Sequence, residues 1–331
     1  VEETSYMFVT GPNVVKTVTH EEVTSEDLGG AKTHAEKSGV NHFTAANDVE
    51  CLKNVRDLIT YFPQNAYELA PTTSVFKFSK SKLTQIEKIL PENISVPYDV
   101  RKLIDCIVDD TSFREVQKDF AKNIVVGFSR LEGRTIGVVA NQPSAMAGVL
   151  DIDASRKGAR FVRFCDSFNI PLLVFEDVPG FLPGTDQEWR GIITHGAKLL
   201  YAFSEATVPR ITVITRKAYG GAYCVMNSKS IGADLVFAWP SAEIAVMGAK
   251  GAAEIIFKRE IAEADDSQAK LLEKEAEYGD LFANPYRAAE RGIVDEVIFP
   301  AETRNKLLIG FKMLENKAET LPKKKHGNIP L

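Results

Sequence analysis

The sequence predicts an α/β fold built on a largely parallel sheet. Between residues 123 and 321, apolar runs of strand length alternate with segments whose apolar residues recur at three- and four-residue steps. The run PLLVFED at 171–177 is almost continuously apolar and ends in carboxylates, as expected of a strand covered on both faces. At roughly 150 residues per domain, the 331 residues suggest about two domains.

Three regions follow one another along the chain. Residues 1–65 predict a strand at 5–9, a Gly-Pro turn, a helix, a loop, a short strand and a second helix. Residues 66–122 are rich in Pro, Ser, Thr and Lys and predict a connector, in which VRKLIDCIVDD has helical spacing and is expected to pack on a domain. Residues 123–331 hold the regular alternation and form the third region.

The elements of the third region are predicted in order. Two paired strands (123–133 and 134–140) precede a helix capped by Asp153 and running to 168, which is amphipathic through its phenylalanines. The later strands are expected at 171–177, 210–216, 234–239, 243–247 and 294–299. The later helices are expected at 195–206, 222–229, 251–261, around 264–279, 285–292 and 301–315.

A weak internal repeat links the first and third regions. MFVTGPNVVKTV near the start parallels IAVMGAKGAAEII at 244–256, and SGVNHF with its following helix parallels RGIVDEVIF with its helix. One α/β unit therefore occurs twice, and segments corresponding to 123–239 are expected upstream of Val1. The chain is expected to be cut from something longer, so a site built from two copies would have lost one half.

Composition excludes several classes of protein. With 44% hydrophobic and 26% charged residues the chain is typical of globular proteins, and a net charge of −5 leaves no basic field for nucleic acid or anionic lipid. The four cysteines and five histidines show no metal-ligand spacing, so reduced thiols and no metal are predicted. Neither a secretory leader nor an apolar run of 18 residues occurs, which predicts a cytosol-like compartment.

Two glycine-rich turns are the candidate sites for chemistry, since phosphate-binding loops, GxSxG, HExxH and EF-hand patterns are absent. Both turns follow strands, and open α/β sheets bind ligands at the carboxyl ends of their strands. The free N–H groups of Gly221 and Ala222 could bind a developing oxyanion, or the glycines could serve only close helix–sheet packing. The two turns comprise Val178, Pro179, Gly180 and Phe181, and Gly220, Gly221, Ala222 and Tyr223.

Two ionisable residues lie near these turns. Asp177 ends its strand and is interpreted either as a general base or as a cap of the next turn. His195 is interpreted as a packing or surface histidine rather than as a base. The site would therefore act mainly through backbone dipoles.

Long motifs carry a resemblance to a known family. They are VANQPSAMAGVLDIDASRKGARFVRFCDSFNIPLLVFEDVPGFLPG, HGAKLLYAFSEATVPRITVITRKAYGGAY, AWPSAEIAVMGAKGAAEIIFKREI, FANPYRAAERGIVDEVIFPAETR, the early TGPNVVKTVTHEEVTSEDLGGAKTHAEKSGVNHF and the KKKHGNIPL ending. Together they resemble the carboxyltransferase (beta) subunits of biotin-dependent acyl-CoA carboxylases, propionyl-CoA carboxylase above all, with methylmalonyl-CoA carboxyltransferase and the sodium-pumping decarboxylase alpha subunits.

The resemblance implies a crotonase-like fold, with one complete domain at 123–331 preceded by the end of a second copy at 1–65. It implies that Gly221 and Ala222 hold the ureido oxygen of biotin and that the turn 178–181, Gly220, Tyr223 and Cys224 line the same pocket. Carboxybiotin would release CO2, its enolate would take the α-proton of an acyl thioester, and the thioester enolate would attack CO2. No metal is implied.

The implied partners are biotin carboxylase and biotin carboxyl carrier subunits, in a homohexamer without nucleic acid or membrane insertion. The implied location is cytoplasmic, or the mitochondrial matrix in a eukaryote. The expected activity is carboxyl transfer to a short-chain acyl-CoA. A transcarboxylase or decarboxylase subunit and a non-catalytic biotin-binding fragment are the alternatives.

Two departures from the family pattern bear on the activity. A DSGGAR-like segment, which supplies the family's acyl-CoA oxyanion glycines, does not occur in the chain. Cys224 stands where propionyl-CoA carboxylases usually carry Asp, a position associated in the family with the choice of acyl chain.

Overall fold

A computed structural model describes residues 1–325 of the chain, so the part of the KKKHGNIPL ending from residue 326 onward lies outside the described residues. The strands are β1 (Arg114–Val116), β2 (Ile124–Leu131), β3 (Arg134–Asn141), β4 (Leu172–Val178), β5 (Arg210–Tyr219), β6 (Leu235–Ala238), β7 (Glu243–Ala245) and β8 (Glu296–Val297).

The α-helices alternate with these strands from β3 onward. They are α1 (Pro12–Thr19), α2 (Ser25–Gly29), α3 (Ala31–Thr33), α4 (Asp48–Ile59), α5 (Ile86–Ile89), α6 (Val100–Ile107), α7 (Ile152–Ser167), α8 (Thr185–Trp189), α9 (Ile192–Glu205), α10 (Gly220–Val225), α11 (Ala249–Ile256), α12 (Lys258–Glu263), α13 (Ser267–Phe282), α14 (Pro285–Glu290) and α15 (Thr303–Met313). Short 3₁₀ or π segments are His34–Ser38, Lys80–Gln85, Met146–Gly148, Lys229–Ile231 and Pro300–Glu302.

The strands form one mixed sheet of order β1-β2-β3-β4-β5-β6-β8, with β7 paired to the end of β5. The first three strands pair antiparallel, and β3 to β8 pair parallel. The predicted α/β class and the predicted pairing of the strands at 123–133 and 134–140 are therefore confirmed. The predicted helix at 251–261 is two helices, α11 and α12, separated at Phe257.

Helices cover both faces of the sheet, which explains why the sequence of strand β4 is almost continuously apolar. Leu172 and Val174 face the core beneath α7 and α9, whereas Leu173 and Phe175 face the core beneath α6 and α15. Successive side chains of a strand point to opposite faces, so a strand with two covered faces needs an apolar residue at nearly every position. Most of the segment VRKLIDCIVDD forms α6, and the apolar face of this helix is buried in the core, as predicted.

The cap of helix α7 lies two residues before the predicted cap, and the helix itself begins at Ile152. The side chain of Asp151, not Asp153, accepts a hydrogen bond from the Ala154 amide, and Asp153 lies in the first turn. The periodicity of the apolar residues located the helix, but it is compatible with either aspartate as the cap. The cap is the residue that keeps an extended backbone, which is Asp151.

The two strands predicted at 5–9 and 38–43 are wrong for this structure. In residues 1–63 the only strand-like pairing is the isolated bridge between Tyr6 and Gly30. A strand needs a neighbour for its hydrogen bonds, whereas a helix satisfies its own, and helices α1 and α4 of the predicted repeat do form. The division into 1–65, 66–122 and 123–331 stays a prediction, although β1 from the connector joins the sheet edge.

Two further findings concern the chain as a whole. All four cysteines are free thiols, as predicted, and Cys106 and Cys165 are buried. Across residues 1–325, no helix combines the length and apolar character needed to cross a membrane.

Lys157 of α7 is buried, and within residues 1–325 its ammonium group forms hydrogen bonds but no ion pair with a carboxylate. Its Nζ donates to the carbonyls of Phe120 (2.7 Å), Ile124 (2.8 Å) and Ala121 (3.3 Å), which holds the entry into β2 against α7. Burial lowers the pKa of Lys157 to about 7. The unfolded chain therefore binds one more proton than the folded chain between pH 7 and the ordinary lysine pKa near 10.5.

We expect the free energy of unfolding to rise with pH above 7 through this lysine, by at most about 1.4 kcal/mol per pH unit. Lys157→Met removes that contribution, so its free energy of unfolding, measured in urea between pH 7 and 9.5, should rise less steeply with pH. The exposed Lys53 of α4 supplies a matched Lys→Met control that keeps the wild-type slope. Identical slopes for the wild type and Lys157→Met would contradict the lowered pKa of Lys157.

Candidate active site

The two glycine-rich turns meet at one edge of the sheet. Strands β4 and β5 are parallel neighbours, and Val178 at the end of β4 pairs with Ala218 near the end of β5. The chain leaving β4 at Pro179 and the helix leaving β5 at Gly220 therefore start side by side. Both turns therefore lie at the carboxyl ends of strands, as predicted from the sequence, and their proximity agrees with the shared pocket that the resemblance implies.

Phe181 joins the two turns through its ring. A Cβ built on Gly221 would lie 3.8 Å from the ring, and one built on Gly196 of α9 would lie only 2.9 Å from it. Gly196 therefore makes room for the Phe181 ring, which then reaches Gly221 in ordinary contact distance. Backbone hydrogen bonds from Leu150 to the Gly180 carbonyl and from Leu182 to the Leu150 carbonyl fix the turn.

Gly220 is required by its backbone conformation. Its φ is +59°, in the left-handed region that residues with a side chain rarely adopt. A Cβ there would also lie 3.0 Å from the carbonyl oxygen of Val246, which follows β7. The first glycine of the pair thus serves the turn and its packing, while Gly221 has an ordinary φ and open space on one side.

The amides after Gly220 are the groups proposed to bind an oxyanion. Within the described chain, neither Gly221 nor Ala222 donates its N–H to a backbone carbonyl, because first-turn amides of a helix have no partner inside the helix. Gly221 is exposed and Ala222 is fully buried, so Gly221 is the accessible member of the pair. Val178 is fully buried, whereas Pro179, Gly180 and Phe181 are half-buried.

Asp177 neither caps the next turn nor faces an open space. Its Oδ2 accepts from Arg216 Nε at 2.8 Å, its Oδ1 accepts from the Lys217 amide at 3.2 Å, and both members of the ion pair are 3% exposed. Burial raises the pKa of Asp177, and the Arg216 guanidinium opposes that rise. The carboxylate ties the end of β4 to β5 and so fixes the spacing of the two turns.

Sequence reasoning missed Glu176, the residue before Asp177. Its side chain is fully buried, and neither carboxyl oxygen has a hydrogen-bond partner in the described chain. Tyr223 Oη is likewise buried without a partner there, and Cys224 is half-buried on the same helix. A glutamate at the end of an apolar run gave no sign of burial, since strands commonly end in charged residues.

Other features lie apart from this corner, the place where the turns 178–181 and 220–223 meet. A cavity of about 1100 Å³ lies between the connector and α15, lined by residues such as Leu69, Thr135, Asn169 and Lys312, and none of the predicted site residues lines it. His195 lies in the first turn of α9, and burial lowers its pKa. No group of three or more His, Cys, Asp and Glu side chains among residues 1–325 is arranged to hold a metal ion.

The model of the carboxyl transferase domain family matches residues 1–329. The chain belongs to this carboxyl transferase family. Curated relatives include the carboxyltransferase subunit of propionyl-CoA carboxylase from Haloferax mediterranei (57% identical) and the alpha subunit of methylmalonyl-CoA decarboxylase from Propionigenium modestum (53%). All of the chain is matched in both cases, but it spans only 64% of each relative's length.

A solved carboxyl transferase has the same architecture. The transcarboxylase 12S hexamer, solved with methylmalonyl-coenzyme A and methylmalonic acid bound, superposes with a TM-score of 0.95 at 52% identity. The match covers all of this chain and 63% of that one. The predicted crotonase-like α/β fold is thereby confirmed, whereas the tandem-copy interpretation stays a prediction.

Proposed function

We propose that this carboxyl transferase chain moves a carboxyl group between biotin and the α-carbon of a short-chain acyl-CoA, such as propionyl-CoA. The observation that carries the proposal is the amide of the exposed residue Gly221, which lies at the carboxyl ends of two parallel strands and has no backbone acceptor in the described residues. Family membership and the printed activities of the relatives support the reaction class.

The corner suits an oxygen that gains negative charge. An amide N–H fixed by a rigid turn needs no reorganisation when charge develops, and one such donor typically lowers a barrier by about 2.7–4 kcal/mol. Gly221 carries no side chain over its amide, and the half-buried Phe181 ring limits water on that side. The Arg216 guanidinium neutralises Asp177, the carboxylate that directly precedes the turn 178–181.

Biotin is the group proposed to bind at this corner, where the N–H groups of Gly221 and Ala222 would donate to its ureido oxygen. When bound it supplies the transferable carboxyl group and a basic centre for the α-proton. The chain's own contribution is to bind and orient that oxygen, to stabilise its negative charge and to exclude water. The turn 178–181, Gly220, Tyr223 and Cys224 are proposed as the surrounding wall.

The proposed cofactor chemistry needs other chains. Biotin would arrive on a biotin carboxyl carrier subunit after carboxylation by a biotin carboxylase subunit, and acyl-CoA would be the second substrate. A homohexamer is proposed because the 12S relative assembles as a hexamer. A cytoplasmic or mitochondrial-matrix location stays a prediction.

Two alternative functions are each favoured by a specific observation. A transcarboxylase or decarboxylase subunit would use the same half-reaction, and it is favoured by the methylmalonyl-CoA decarboxylase relatives and the transcarboxylase structure. A non-catalytic biotin-binding chain is favoured by the lack of a DSGGAR-like segment among the 331 residues.

The direct test is decarboxylation of malonyl-CoA or methylmalonyl-CoA by the purified chain with free biotin as the acceptor. We expect acyl-CoA product to form with biotin and to fall to the background level without it, as measured by chromatography of the CoA esters. Product formation that is independent of biotin would contradict the proposal. Absence of turnover together with saturable binding of biotin would favour the non-catalytic alternative.

A further inference from the structure

A buried acid lies behind the glycine corner. Glu176 extends from β4 into the interior beneath α10, where its relative exposure is 0% and both carboxyl oxygens lack a hydrogen-bond partner in the described chain. The hydroxyl of Tyr223 on α10 is buried nearby, also without a partner among residues 1–325. Buried polar atoms normally find a partner, so two such groups side by side call for an explanation.

The charge state of Glu176 follows from its surroundings. The titratable groups that face it are Cys224 and Tyr223 from α10 and Asp177 from its own strand, whose charge is taken up by Arg216 of β5. None of the groups that influence its ionisation is a cation. Burial, and then Cys224 and Asp177, raise the pKa of Glu176 well above its usual range, because an unpaired buried carboxylate is costly.

Glu176 lies beneath the helix whose first-turn amides are the proposed oxyanion donors. Helix α10 is only six residues long, so the turn that carries Gly221 and Ala222 is the same short helix that carries Tyr223 and Cys224. A carboxylate beneath that helix would attract the first-turn N–H groups from behind and would repel negative charge in front of them. A neutral carboxylic acid does neither.

We propose that Glu176 is a positioning residue of the carboxyl-transfer site, an uncharged acid that supports α10 from below and leaves the Gly221 amide free to hold negative charge. This role rests on the proposed function. It predicts that turnover fails when Glu176 loses its proton, although the carboxyl itself touches no substrate.

The first experiment compares pH profiles of biotin-dependent turnover for the wild type and Glu176→Gln, an uncharged variant of the same shape. We expect the wild-type kcat to fall tenfold per pH unit on an alkaline limb, and Glu176→Gln to keep at least a third of the wild-type maximum without that limb. Glu87→Gln, at an exposed glutamate of α5, is the control and should keep the limb. An unchanged alkaline limb in Glu176→Gln overturns the proposal.

The second experiment does not depend on activity. An acid whose pKa is raised on folding gives the folded state more protons than the unfolded state, so stability falls as pH rises from the ordinary glutamate pKa toward the raised one. Across that window the loss of the Glu176 proton should raise the unfolding equilibrium constant of the wild type by up to tenfold per pH unit. The same constant of Glu176→Gln lacks this contribution, so it should change less with pH. If Glu176→Gln does not fold, Glu176→Met supplies the same comparison.

The outcomes separate the two levels of inference. Equal pH slopes of unfolding overturn the neutral buried acid, and with it the positioning role. A wild-type chain without turnover overturns the proposed function together with this role. Turnover that keeps its alkaline limb in Glu176→Gln overturns the role alone.

Discussion

Replacing Gly221 by valine should lower biotin-dependent turnover by a factor of about 10² to 10³ while the fold remains intact. The factor is the typical loss when one preorganised oxyanion donor is removed. Valine methyl groups would cover the exposed amide and fill the space between it and the Phe181 ring, so an oxygen could no longer approach. The backbone tolerates the change, since Gly221 has an ordinary φ and its Cβ would meet the ring at 3.8 Å.

The measurement is kcat with saturating CoA ester and biotin, together with circular dichroism and a urea unfolding curve. Gly279→Val is the matched control, because Gly279 lies within α13 and a Cβ there meets nothing within 4 Å. We expect the control to keep wild-type turnover. Wild-type rates in Gly221→Val would refute the assignment of the Gly221 amide as an oxyanion donor.

The site could be located from the sequence, but its interior could not. The rule that ligands bind at strand ends marked both turns as candidates, and the family resemblance implied that they line one pocket. In the structure the Phe181 ring of the turn 178–181 lies beside Gly221. The ring is accommodated by Gly196, fifteen residues further along, and such a contact depends on how α9 packs. Glu176 was missed for the same reason, because its burial is created by α10 and not by its neighbours in sequence.

The fold was predictable where the sequence carries a strong pattern, either helical periodicity or a continuous apolar run. Helix α4 and strand β4 follow from periodicity and an apolar run, and both occur near their predicted positions. The strand predicted at 5–9 has the right composition, but among the described residues it finds only the bridge from Tyr6 to Gly30. Strand formation is a property of a pair, so composition alone does not decide it.

The connector and the last helix are joined by a buried ion pair. Arg304 Nη2 of α15 lies 2.6 Å from Asp109 Oδ1, and Nη1 donates to the Ile107 carbonyl at 2.6 Å. The Asp109 carboxylate also accepts from the amides of Glu132 and Gly133 in the turn between β2 and β3. The two side chains are 6% and 3% exposed, so one charge without the other would be buried and uncompensated.

Arg304→Met should therefore lower the free energy of unfolding by about 3–5 kcal/mol, the usual cost of breaking a buried pair from one side. Methionine keeps an apolar side chain of similar length but removes the guanidinium, so the loss combines the ion pair, the hydrogen bond to the Ile107 carbonyl and the contact of the guanidinium with the Phe78 ring, whose centroid lies 3.8 Å away. Arg134→Met is the matched control, because the Arg134–Glu315 pair is 48% and 32% exposed and such pairs contribute less than about 1 kcal/mol. Urea unfolding of both variants measures the difference. Equal losses would mean that Asp109 is satisfied by its two amides alone, and that α15 is held to the connector by apolar packing and not by the ion pair.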